Sequence, residues 1–188
     1  MKNLGFKIER TATTLPLPKG GYVAKILKAE EKSYTWGSVL EISYDITEGE
    51  YKDHFKNAYL ADNRDDKKWK GIYRLTVPQE GKQYFESQKR TFSNAIGAIE
   101  DANPGYHWDW DEKTLRDKQI GVLIREYEYD IDGRRGWSTE AFALITPDEV
   151  REGKFKDPAP RPLKNKAANP LESGFISDVK NIEDELPF

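Results

Sequence analysis

The stretch YFESQKRTFSNAIGAIEDANPG, residues 84–105, decides the fold. Phe85, Phe92, Ala95, Ile96, Ile99 and Ala102 recur at helical spacing, so residues 84–103 are expected to form one amphipathic helix. Asn103-Pro104-Gly105 stops it, because proline cannot continue a helix and glycine turns readily. Almost everything on either side reads as β, so what matters is where this helix falls among the strands.

Upstream, Gly20-Gly21 opens a strand over residues 22–29, and Lys32-Ser33-Tyr34-Thr35-Trp36-Gly37 reads as a loop. Residues 39–46 alternate, with Leu40, Ile42, Tyr44 and Ile46 on one side and Glu41, Ser43 and Asp45 on the other, the pattern of a half-buried strand. Glu48-Gly49-Glu50 turns the chain. Residues 55–61 are expected to be a third strand, followed by a polar loop to Gly71 and a short β-like run over 72–77. Downstream, residues 106–111 form an aromatic, acidic connector. Residues 119–129 and 137–145 are two strands joined by Asp130-Ile131-Asp132-Gly133, where Asp-Gly accepts the positive φ of a primed hairpin turn. Thr146-Pro147-Asp148-Glu149 is a capping box with proline at the first helical position.

Three strands, a helix and a two-stranded hairpin predict a mainly β, α+β domain rather than alternating βαβ units. A helix between the third and fourth of five strands is the layout of the OB-fold. That Greek-key barrel binds oligonucleotides with strands 2 and 3 and the loops after strands 1 and 4. The expected organisation is an N-terminal arm (1–19), an OB-fold-like domain (20–156), and a flexible linker with a disordered acidic tail (157–188).

Composition narrows the function. The chain has 188 residues, 34% charged and 37% hydrophobic, enough for one domain with a sizeable core. No run approaches the ~20 apolar residues of a membrane span, and the N-terminus lacks a signal-peptide core, so a cytoplasmic protein is expected. There are no cysteines and only two histidines, His54 and His107, which argues against thiolate zinc, thiol chemistry or a His-based triad. No phosphate loop, dinucleotide fingerprint or nucleophile elbow is present, so no cofactor and no metal are expected.

The net charge of −3 conceals an asymmetry. Between 151 and 166 six basic residues face Glu152 and Asp157, a balance of +4; between 167 and 188 five acids face Lys180, a balance of −4. Such a split suggests electrostatic work at the end of the chain. Within the body, three segments pair a cation with a ring: Lys32, Tyr34 and Trp36; Lys67, Lys68, Trp69 and Lys70; and Arg134, Arg135 and Trp137. Lys56, Tyr59, Arg74 and Arg125 extend the set. Unpaired nucleic acid asks for this combination, since cations follow the phosphates while flat rings stack on bases, about 1–3 kcal/mol per base. Each ring alone is equally explained as a core edge, and a Lys-Lys-x-Lys run as a solvated loop.

The chain ends Glu183-Asp184-Glu185-Leu186-Pro187-Phe188, where a terminal ring and carboxylate follow an acidic run. This tip resembles that of bacterial single-stranded DNA-binding proteins, with Leu186 in place of their isoleucine. The body resembles instead a group of phage-encoded single-stranded DNA-binding proteins. The resemblance rests on Ile99-Glu100, Asn103-Pro104-Gly105-Tyr106-His107-Trp108-Asp109-Trp110-Asp111, Leu115 and Gly153-Lys154-Phe155, and covers about a third of the chain. It implies coating of single-stranded DNA in phage replication, recombination and repair, with the tip recruiting polymerase, helicase or recombinase. The charge split suggests in addition that the acidic tail competes with DNA for the basic groove at low salt.

Two readings compete with this one. Asp109, Asp111 and Glu112, or Asp62, Asp65 and Asp66, are the carboxylates a metal-dependent nuclease needs, although helix capping explains the first group better and a mixed-charge loop the second. A protein-binding adaptor fits the net-negative body. The sequence leaves the oligomeric state open, a homodimer included.

Overall fold

The computed structural model describes residues 16–163. Five strands form one antiparallel sheet in the order β3-β2-β1-β4-β5. They are β1 (Gly20–Tyr34), β2 (Gly37–Ile46), β3 (Ile72–Thr76), β4 (Gln119–Ile131) and β5 (Arg134–Ile145). Three helices interrupt them: α1 (His54–Ala61) between β2 and β3, α2 (Phe85–Ala102) between β3 and β4, and α3 (Pro147–Arg151) after β5. A 3₁₀ turn, Glu112–Leu115, precedes β4. The two edges, β3 and β5, come within 8 Å at Cα without forming a ladder, so the sheet curls but does not close.

β1 is what lets one sheet curl this far. It pairs with β4 through residues 20–25 and with β2 through residues 24–34, and a bulge at Leu27 shifts its register within the β2 ladder. A bulge bends a strand and increases its twist. Ala24, Ile26 and Ala29 face the core on either side of it. β2 supplies Leu40, Ile42, Tyr44 and Ile46, β3 adds Tyr73 and Leu75, and β4 adds Ile120, Val122 and Ile124. The apolar side read in 39–46 faces the core as expected, but the strand is not half-buried, since Val39, Glu41 and Asp45 on its other side are buried as well. Burial, together with the neighbouring Asp45 charge, pushes the ionisation of Tyr44 upward, and burial pushes that of Tyr73 up to about 12.

α2 covers one end of this core with Phe92, Ala95, Ile96 and Ile99, the stripe its spacing predicts. Asn103 joins the helix end to β4. Its amide donates to the carbonyls of Ile99 (2.7 Å) and Gln119 (2.9 Å) and accepts from the Gln119 N–H (2.9 Å). In the connector, the Trp108 N–H donates to Glu100 Oε1 at 2.7 Å and Trp110 stacks on Phe92, centroids 6.0 Å apart. Leu17, in the expected arm, is buried in the same core.

Four expectations are corrected. Residues 55–61 are not the third strand but helix α1. The Asp45 carboxylate, buried at the end of β2, accepts the N–H groups of Phe55 and Lys56, each at 3.0 Å, and so satisfies the orphan donors of a helix start. Phe55 and Tyr59, four apart, then share a face, Phe55 edge-on to Tyr44. The third strand is the short run 72–76. The loop expected at 32–37 shrinks to a turn at Thr35 and Trp36, because β1 continues to Tyr34. The last hairpin is longer than its periodicity suggests, with Asp132 (φ 51°) and Gly133 (φ 79°) forming the primed turn. The capping box at Thr146 forms as expected.

The expected linker begins with a docked segment. Arg161 forms a parallel bridge to Tyr127, its N–H donating to the Glu126 carbonyl and its carbonyl accepting from the Glu128 N–H, both 2.9 Å. It occupies the side of β4 that β1 pairs with only as far as Ile124. The tip Glu183–Phe188 lies outside the described residues. Among the described residues no helix is long and apolar enough to cross a membrane.

Candidate nucleic-acid interface

The sequence-expected residues gather into three clusters. At the first, Tyr34 and Trp36 flank the β1–β2 turn and stack on one another, centroids 5.3 Å apart and planes 6° from parallel. Nearby on the outer sheet surface, Glu41 is only 8% exposed and holds two cations: Lys32 Nζ at 2.5 Å from Oε2 and Arg74 Nε at 2.8 Å from Oε1. Glu41 and Arg74 are direct cross-strand partners. The Glu41 hydrogen bond holds the Lys32 ammonium above its ordinary value. Two solvent-facing cations are thus fixed at one spacing, each with donors left over.

The second cluster forms around Trp69. Its indole N–H donates to the carbonyls of Tyr44 (3.1 Å) and Gly71 (3.2 Å), which holds the ring against the sheet. Tyr59 packs beside it at 5.9 Å, and Lys67 lies over the Tyr59 ring at 4.6 Å. Lys56, Trp69, Lys25 and Leu27 line a cavity of about 220 Å³. Lys68 and Lys70 are exposed, with no ion pair among the described residues. The first two clusters sit at opposite ends of β2, seven residues apart, roughly 23 Å at strand rise.

The third is the β4–β5 hairpin, where alternation divides the expected residues. Arg125, Tyr127, Tyr129 and Arg134 share one face with Glu140. Glu126, Glu128, Asp130, Arg135 and Trp137 share the other. Arg125 donates to Glu140 at 2.7 Å and lies over Phe142, 4.6 Å from its centroid. Arg135 is tied to Asp130 at 2.8 Å. Trp137 is 52% exposed. Sequence reasoning missed Phe142, Tyr127 and Arg161; only the bulge at Leu123/Ile124 and the docking of residue 161 bring them together.

Three of the candidate carboxylates, Asp62, Asp109 and Asp111, have structural partners. Asp62 is chelated by Arg64, whose hydrogen bonds hold its carboxyl down at about 2. Asp111 accepts from the Lys113 N–H at the 3₁₀ turn, and Asp109 accepts from the Asp111 N–H. Among the described residues no three histidine, aspartate or glutamate side chains converge as a metal site.

Compared with known protein families the chain matches none, and none of the curated proteins matches it.

Proposed function

We propose that this is a nucleic-acid-binding protein built on an OB-fold-like, partly open Greek-key barrel. More particularly, it is a sequence-independent single-stranded DNA-binding protein of phage replication and recombination, working without catalysis in the host cytoplasm. The observation that carries the reading is the five-stranded antiparallel sheet with α2 between β3 and β4, the layout of a fold that grips single strands on its outer surface. Its support is the chemistry of that surface: stacked half-exposed rings at the β1–β2 turn, cations held by Glu41, and exposed lysines at 68 and 70. Lysine and arginine hold phosphates there while Tyr34 and Trp36 meet bases. The acidic tip is the handle for polymerase, helicase or recombinase.

Titrating oligo-dT into the full chain tests this. Tryptophan emission is expected to fall, with affinity declining as salt rises in proportion to the phosphates neutralised. Absence of both quenching and binding would transfer the protein to the adaptor class. Cleavage of a labelled strand in magnesium or manganese would transfer it to the nucleases.

A further inference from the structure

The β4–β5 hairpin projects beyond the start of β1, because β1 covers β4 only as far as Ile124 while the hairpin ladder continues to Ile131 and Arg134. Among the described residues the two faces of this projection differ in charge. On the Trp137 face, Glu126, Glu128 and Asp130 oppose Arg135, with Lys19 paired to Glu126, a balance of −1. On the opposite face, Arg125 and Arg134, joined by Arg161, oppose Glu140 alone, a balance of +2.

The rings divide too. Trp137 stands across from Glu128. The cationic face carries Phe142, 44% exposed beneath Arg125, then Tyr127 beneath Arg161 at 5.3 Å, then Tyr129 lying over Gly136. Glu140 grips both arginines, at 2.7 and 3.1 Å, and so fixes the spacing of the stripe.

We propose that a single strand of DNA runs along this cationic face, its bases on Phe142 and Tyr127 and its phosphates on Arg125 and Arg161, while Trp137 stays off it. The inference rests on the function proposed above and refines which side of the hairpin the ligand takes. The net −1 around Trp137 disfavours phosphates, and rings interleaved with arginines offer stacking and charge on one track. Arg161 enters the stripe only because the chain after α3 docks on β4, so the segment leading to the acidic tail is itself part of the binding surface.

The test uses the full chain and a labelled oligo-dT of about 15 nucleotides, near the upper span of one such fold. Phe142→Ala and Arg161→Gln are each expected to weaken binding about five-fold or more, and Arg161→Gln to reduce the salt slope by about 0.7. Trp137→Ala leaves affinity within about two-fold. Phe142→Leu, which keeps apolar bulk but removes the ring, reproduces the loss if melting shows that the alanine variant is poorly folded. Loss in Trp137→Ala with silence in the other variants overturns the inference. So does wild-type binding untouched by any of them, which leaves the proposed function standing. Failure of the wild-type chain to bind removes both.

Discussion

At the scale of single residues, His54 shows burial acting on charge. The His54 ring packs between Tyr51 and Phe55, and burial lowers its pKa below the usual 6.5, against the pull of Asp45. The unfolded chain therefore binds the proton more readily, and stability falls as pH drops through about 6.5, levelling once the folded form also titrates. Melting temperature is expected to decline between about pH 7 and 5, and His54→Phe to flatten that part of the profile. A variant with an unchanged slope would assign the dependence elsewhere. Glu41 is a buried carboxylate whose two cations reach solvent. Glu41→Ala leaves Lys32 and Arg74 unpaired beside each other and is expected to cost about 1–3 kcal/mol, read from urea unfolding.

At the scale of elements, α1 is the instructive one. Residues 55–61 carry Phe55, Asn57, Tyr59 and Ala61 at period two, which looks like a strand, but also Phe55 and Tyr59 at i, i+4, which suits a helix. The Asp45 carboxylate, ten residues away from Phe55 in sequence, decides between them. Asp45→Ala is expected to lower stability by about 1–2 kcal/mol in urea unfolding, with Asp45→Asn retaining part of it through one acceptor oxygen. Equal losses in the two variants would show that charge rather than capping matters there. The β4–β5 turn makes a similar point more simply. Asp132-Gly133 announces itself because only the turn's positive φ values require that pair, and it forms where expected.

At the scale of the molecule, α2 and the curled sheet share one core. Ile99 is fully buried where the helix meets the sheet, so Ile99→Ala is expected to cost about 2–5 kcal/mol, with single-step unfolding preserved if sheet and helix fold together. A separate early transition would show α2 detaching on its own. The charge split at the C-terminus belongs to this scale as well. Removing residues 171–188 is expected to raise affinity for single-stranded DNA at low salt and to change it little at high salt. Unchanged affinity at low salt would remove the competition between tail and strand.

Local signals were legible without coordinates: the helix over 84–103, the apolar side of 39–46, the Asp-Gly turn and the capping box at Thr146. Each depends on neighbours a few residues apart, where backbone geometry alone sets which side chains meet. The identity of α1, the reach of β1 to Tyr34, the union of Lys32 with Arg74 through Glu41, and the arrival of Arg161 beside Tyr127 belong to long-range contact. Those outcomes turn on strand register, a bulge and an edge left open by a neighbouring strand, and one residue of register exchanges the two faces of a strand. Sequence periodicity thus names the rings and cations, but pairing across the sheet chooses which of them stand together.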